Sequence, residues 1–223
     1  LLDAALRALG AERASVSTGA LREGMLVEEL DLQARWREGL SARQRSAAEL
    51  AERFQVSVPH ARQVTALSRD LLERLRRRGE TFDPNALSFI SAAAFLHEIG
   101  QAVSQSSHHK HSAYLIRHAG LRGFDARQTE LVAQIARYHR KGLPRGQHPE
   151  FQALSPDDRY TVRQLAAILR VADGLDRSHA GQTKVADLRR EDAGWVLSVR
   201  GATQLDVAGF HEKRDLWQQV YGP

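Results

Sequence analysis

The sequence predicts a mainly α protein with a short α/β stretch at each end. Two patterns carry that reading. From Ala42 to about residue 177, apolar residues recur at helical spacing nearly without interruption. Residues 183–188 and 194–200 then alternate like two short strands about a turn at residues 191–194. Length sets the scale: 223 residues suffice for one good core with a small appendage.

Residues 1–9 have a helical period ending at Gly10, and 14–17 form a short strand candidate. Such a unit cannot bury its own faces. With the Leu21-Arg22-Glu23-Gly24 turn it reads as the tail of an upstream α/β domain, over residues 1–33. The chain opens at Leu1, inside an apparent helix, which reads as part of a longer protein. Residues 31–41 turn polar and suit a linker. The helical domain is expected over 34–180, with helices at about 42–54, 59–78, 85–97, 107–119, 126–140 and 157–177. Asp83-Pro84 supplies an N-cap followed by proline in the first turn. Asp125 and the Ser155-Pro156-Asp157-Asp158 segment open later helices. Residues 141–154, rich in Gly, Pro and His, read as a loop. The two strands and a terminal helix at 210–221 form a small α/β subdomain over 181–223.

Composition narrows the chemistry. There is no cysteine, so disulfides, thiolate nucleophiles and zinc–thiolate sites are excluded together. His, Asp and Glu remain as metal ligands. No apolar run approaches a membrane span and no signal-peptide pattern is present, so the expected location is the cytoplasm, away from any membrane. The net charge is +5, with arginine far exceeding lysine. A basic, arginine-rich surface favours an anionic partner and bidentate contact with phosphate. The run Arg74-Leu75-Arg76-Arg77-Arg78 sits at a helix end, where it complements the helix dipole and reads as structural.

Read as stripes, the helices carry an unusual signal. His60 precedes Val64, Leu67, Leu71 and Leu75. Leu87, Ile90 and Ala94 continue to His97. The face of Leu115 carries His111 and His118. Gln128, Leu131 and Ile135 continue to His139, and Val162, Leu165 and Leu169 continue to Asp173 and Asp176. A lone histidine on a stripe is ordinarily a hydrogen-bonded core residue. Ionisable groups on five successive stripes need partners or a ligand if they are buried. Should the stripes converge, His60, His97, Glu98, His111, His139 and Asp173 form one cluster suited to Mg, Mn, Fe or Zn. The rival reading is a metal-free relic in which the same groups bond to one another and fix helix packing.

The order His60, then His97-Glu98 with Gly100, then Arg170-Val171-Ala172-Asp173-Gly174-Leu175-Asp176, resembles the HD superfamily of helical phosphohydrolases. The resemblance implies an HD-like bundle with His60, His97, Glu98 and Asp173 as metal ligands and His111 and His139 as further ones. Glu98 stands where HD proteins have aspartate, and Tyr138 where the first of a histidine pair is expected. A closer resemblance adds Leu21-Arg22-Glu23-Gly24, Leu96-His97-Glu98-Ile99-Gly100, the segment from His108 to Ile116, and Arg137-Tyr138-His139-Arg140-Lys141. In that order they are similar to the C-terminal half of exopolyphosphatase / guanosine-pentaphosphate phosphohydrolase (Ppx/GppA) proteins. That family implies upstream actin-like catalytic domains holding the catalytic carboxylates. It implies for this chain a role in homodimerisation and in binding polyphosphate or a (p)ppGpp-type nucleotide. Lys110, Arg137, Arg140, Lys141, Arg170 and Arg177 are the candidate phosphate contacts. A free-standing metal-dependent HD phosphohydrolase is the alternative. Nucleic-acid binding rests on net charge alone, since aromatics are scarce and scattered.

Overall fold

Residues 39–223 are described in the computed structural model. The expected helix at 1–9, the strand at 14–17 and the boundary after residue 33 lie outside the described residues. Among the described residues, nine helices and one hairpin follow in order: α1 (Ala42–Arg53), α2 (Val58–Arg77), α3 (Ala86–Leu96), α4 (His108–His118), α5 (Ala126–Arg137), the single turn α6 (Pro149–Gln152), α7 (Pro156–Gly174), β1 (Lys184–Glu191), β2 (Gly194–Arg200), α8 (Gln204–Lys213) and α9 (Asp215–Tyr221). A 3-10 turn, Ile99–Ala102, links α3 to α4. The mainly α expectation holds, with one two-stranded sheet among the described residues.

Helix α3 is the hub because it has no polar face. Ala86, Phe89, Ile90, Ala92, Ala93, Ala94 and Leu96 are all buried, as befits a helix apolar all round. Helices α1, α2, α5 and α7 pack about it. Helix α7 is nearly as enclosed and touches α2, α3, α5, α8 and α9. On α2 the predicted stripe of His60, Val64, Leu67, Leu71 and Leu75 is wholly buried. Each of its leucines contributes about 1.5–3 kcal/mol by leaving water.

Helix ends follow local chemistry. Asp125 and Gln128 make a reciprocal capping box on α5, and the Ser155 side chain accepts from the Asp158 amide at the start of α7. Asp83 caps the preceding turn instead of the helix: its Oδ1 accepts from the Asn85 amide, and α3 begins at Ala86 with Asn85 at the N-cap. The expected terminal helix is two helices. Thr203 and Asp206 form a capping box that starts α8 well before residue 210.

The hairpin pairs β1 and β2 antiparallel with an irregularity between Val185 and Asp187. Two strands alone are marginal in water. Here β1 lies against α2, where Arg74 donates to the carbonyls of Val185 and Ala186. Two other basic residues of that run also pair with nearby acids, Arg76 with Glu73 and Arg78 with Asp187, consistent with a structural role.

Candidate functional site

The polar ends of five buried stretches meet at one place. Leu96 ends α3, so His97 and Glu98 fall in the turn beyond it. Gly100 then passes so close to α4 that a Cβ there would lie 2.8 Å from the Cβ of His111. Ser112 locks the approach: its hydroxyl donates to the His97 carbonyl at 2.7 Å and accepts from the Gly100 amide at 2.9 Å. The start of α4 is thereby pressed against the end of α3.

The imidazoles form a continuous row. His179 stacks on His60 with ring centroids 3.9 Å apart, and His60 lies 5.3 Å from His97. His97 is 4.9 Å from His139, and His139 is 5.2 Å from His108. His109 ends the row, 6.4 Å from His108. All but His179 are buried.

Their orientation is set by neighbours that only accept. Nδ1 of His97 donates to the Ala94 carbonyl at 2.7 Å, and Nδ1 of His139 to the Ala136 carbonyl at 2.7 Å. Nδ1 of His60 donates to Asp176 Oδ2 at 2.8 Å. The Nε2 atoms of His60 and His97 are buried and have no hydrogen-bond partner among the described residues. Both lie 3.7 Å from Asp173 Oδ1, too far for a hydrogen bond. Two inward nitrogens, each fixed through the opposite nitrogen, beside one carboxylate oxygen, match how metal-ligating histidines are usually held. Lys213 of α8 contacts the other oxygen of Asp173, so that carboxylate already has a cation.

Electrostatics divide the row. At the His60 end lie Glu98, Asp173 and Asp176. Burial opposes charge on His60, but Asp173, Asp176 and Glu98 outweigh it and raise its pKa to about 9. Burial would likewise raise Asp173, yet Lys213, His60 and His97 hold it well below the usual carboxylate range. The other end is basic. Burial and the Arg140 guanidinium lower His108, and burial with Arg140, His108, Lys110 and Lys141 lowers His109 to about 4. His139 is held neutral by burial first and then by His97. His108 Nε2 lies 3.2 Å from His139 Nε2, and its Nδ1 lies 3.2 Å from both the Gln105 carbonyl and the Arg140 guanidinium, so the position of the single ring proton decides which of these bonds it donates.

The structure thus brings His60, His97, Glu98, His139 and Asp173 together and leaves His111 aside. Helix α4 buries the face of Ser112, Ala113 and Ile116, which leaves His111 half-buried and His118 outside the buried face. The stripe drawn through His111, Leu115 and His118 is therefore the wrong face, and His108 and His109 take their place in the row. The adjacent histidines at the head of α4 are the available signal. His179 lies in the turn after α7, off every stripe, where periodicity cannot find it.

The candidate phosphate contacts divide as well. Arg170 is buried, bidentate to Asp215 at 2.9 Å, and donates to the Tyr138 carbonyl. Arg137 pairs with Glu150 at 3.0 Å and Arg177 with Glu212 at 2.9 Å. Arg140, Lys110 and Lys141 pair with no carboxylate among the described residues, and both lysines are exposed.

Comparison with known proteins places the chain in a family. The family model described as Ppx/GppA phosphatase, domain III, matches residues 42–213. A guanosine-5'-triphosphate,3'-diphosphate pyrophosphatase of Photobacterium profundum is 33% identical over 172 residues, 77% of this chain. The protein of the same name from Aliivibrio fischeri is 32% identical over 206 residues, 91% of this chain. That of Pseudoalteromonas translucida is 30% identical over 76% of the chain. The matches span only 33%, 39% and 34% of those relatives' own lengths, so this chain corresponds to about a third of each. The match covers residues 42–213, most of the chain, and the chain belongs to the Ppx/GppA phosphatase family, whose domain III it carries.

Proposed function

We propose that this chain is the accessory C-terminal part of a phosphoanhydride hydrolase. Its basic face holds phosphate, while the catalytic carboxylates lie in actin-like domains upstream. The observation that carries the reading is the basic group at one end of the imidazole row. After burial, Arg140, Lys110 and Lys141 are among the charges that bring the His109 pKa down to about 4. A concentration of positive charge with no acidic partner among the described residues suits a polyanion. The relatives' names supply the substrate class, a guanosine nucleotide carrying a triphosphate and a diphosphate, and long polyphosphate is the other polyanion the face suits. The homodimer implied by the resemblance belongs to the same proposal. Arg170 and Arg137 stand behind this face as scaffold, tying the loop after α5 to α9 and α6.

The test is equilibrium binding of guanosine pentaphosphate and of polyphosphate to the chain at several salt concentrations. Affinity should fall steeply with salt, as for any polyanion that releases counterions. A K110A/R140A/K141A variant should bind at least about tenfold more weakly, with a shallower salt dependence. Affinity unchanged in that variant overturns the reading. Sedimentation of the chain across a concentration range tests the dimer.

A second reading is a metal-dependent phosphohydrolase acting through the cluster itself. One observation favours it: two buried, unpartnered nitrogens, His60 Nε2 and His97 Nε2, beside Asp173. A bound ion would polarise a phosphate oxygen and acidify a bound water. The neutralisation of Asp173 by Lys213 weighs against it. Phosphoester hydrolysis by the chain, stimulated by Mg, Mn, Fe or Zn and absent in H97N, would support it. No such hydrolysis removes it.

A further inference from the structure

We infer that the outer face of α4 is a stacking platform for a nucleobase, built on Tyr114 and His118, which separates a guanosine nucleotide from polyphosphate at the basic face. The inference rests on the phosphate-binding role proposed above and extends it. Tyr114, 59% exposed, is the most exposed large apolar side chain among the described residues. Its ring centroid stands 4.5 Å from that of His118, with the planes tilted by 48°. Among the described residues, neither side chain has a hydrogen bond or a charged partner, and both face outward.

Their position along the helix ties the rings to the basic face. Lys110, Tyr114 and His118 are all exposed and follow one another at intervals of four, in one row along α4. Helical side chains lean toward the N-terminus, so His118 leans on Tyr114, and Tyr114 leans toward the turn of Lys110. One face of the tyrosine ring is backed by the imidazole, and the other is left toward the head of the helix. Lys110 and Tyr114 are about 6 Å apart along the axis. A nucleotide interposes one ribose between base and phosphate. A base on Tyr114 therefore sets its phosphates at Lys110 and at Arg140 and Lys141, which share the surroundings of His109 with it.

The charge beside the rings selects the occupant. A row that runs from a lysine to an aromatic pair suits a ligand with an anionic end and a flat apolar end. The platform is also held still. Ser112, Ala113 and Ile116 bury the opposite face of α4, and Arg117 is bidentate to Glu130 of α5 at 2.6 and 2.8 Å. Every base has a π-face, so stacking tolerates any of them, whereas polyphosphate has no ring to offer. Tyr114 thus responds to the presence of a base and leaves the choice among bases to other contacts.

The experiment is equilibrium binding of guanosine pentaphosphate and of polyphosphate to the whole 223-residue chain and its Y114A and Y114W variants. Y114A should weaken guanosine pentaphosphate by at least about fivefold and leave polyphosphate within about twofold, because only the stack is lost. Y114W should hold the nucleotide at least as tightly as the native chain. Tyr114 lies outside the core and alanine suits a helix, so the unfolding midpoint of Y114A should stay at the native value. Guanosine pentaphosphate binding that is absent in the native chain, unchanged in Y114A, or lost there in parallel with polyphosphate overturns the platform. So does a Y114A effect confined to sedimentation, which would make the ring a contact between copies of the chain. Failure of the basic face shows elsewhere: K110A/R140A/K141A would then bind both ligands as the native chain does, and the platform is judged on Y114A alone.

Discussion

Gly174 ends α7 where it crosses α8 at Gly209, and the crossing admits no side chain. A Cβ on residue 174 would lie 2.6 Å from the Gly209 carbonyl oxygen and 3.0 Å from the Phe210 amide nitrogen, where ordinary contact begins at 3.4 Å. Both obstacles are backbone, so no rotamer relieves the clash and α8 must retreat by most of an ångström. Overpacking of this kind costs about 1–3 kcal/mol. Replacing a helical glycine by alanine returns up to about 1 kcal/mol. With two backbone obstacles the upper part of that range, about 2–3 kcal/mol, applies, so the net expectation for Gly174→Ala is a loss of about 1–2 kcal/mol, measured by urea unfolding at neutral pH. Retreat of α8 also withdraws Lys213 from Asp173. A double-mutant cycle should therefore show that Lys213→Ala changes stability less in the Gly174→Ala background than in the native one. Gly142, whose Cβ would meet nothing within 4 Å, supplies the control, and Gly142→Ala should stay within about 0.5 kcal/mol. If Gly174→Ala is as stable as the native chain, the tight crossing is refuted.

Asp206 is 1% exposed and accepts from the amides and hydroxyls of Ser178 and Thr203. Asp206→Ala should cost about 2–4 kcal/mol in chemical denaturation, since it strands two amides away from water. Burial would raise the Asp206 pKa, but those hydrogen bonds overcome it and lower the value. Its share of stability is present at neutral pH and lost as pH falls through the lowered value, so Asp206→Ala should flatten the acid limb of the stability curve. Arg170→Lys should lose about 2–4 kcal/mol, because an ammonium cannot hold Asp215 bidentately while satisfying the Tyr138 carbonyl. A loss below about 0.5 kcal/mol, the size of an ordinary surface pair, would contradict that. For His60, raised from 6.5 to about 9, the sign runs the other way. Its contribution in the chelator-treated chain, roughly 3 kcal/mol by the unit conversion, is complete below pH 6.5 and fades as pH climbs through 9. Urea unfolding at about pH 7 and about pH 10 checks this, and His60→Gln should remove most of the difference.

The long periodic helices are legible because their cores are continuous. The α2 stripe from His60 to Leu75 and the α7 stripe through Leu165 to Asp173 and Asp176 are buried as their spacing predicts. Spacing misleads where it carries little information. Helix α4 is only 11 residues long with polar residues on several faces, and the tight pass of Gly100 decides which side turns inward. That choice is tertiary, so the pattern selects His111 and passes over His108 and His109 as members of the row. Helix α8 begins with a capping box whose third residue is aspartate instead of the usual glutamate or glutamine, and its apolar content is weak, so the start at Gln204 escapes periodicity. Pairing of Arg137, Arg170 and Arg177 with carboxylates distant in sequence cannot be read from charge. Only coordinates separate a scaffold arginine from one with a free fork.

His97 and His139 each close their own helix by returning a ring proton to the carbonyl three residues earlier. One side chain thus serves as terminator on its outer nitrogen and as a pole of the central cavity on its inner one. Alanine scanning at these positions will merge two losses, a frayed helix terminus and an altered centre, into a single phenotype. Asparagine keeps a short amide donor near the helix end and deletes the inward lone pair, so it is the replacement that lets folding defects and ligand defects be told apart.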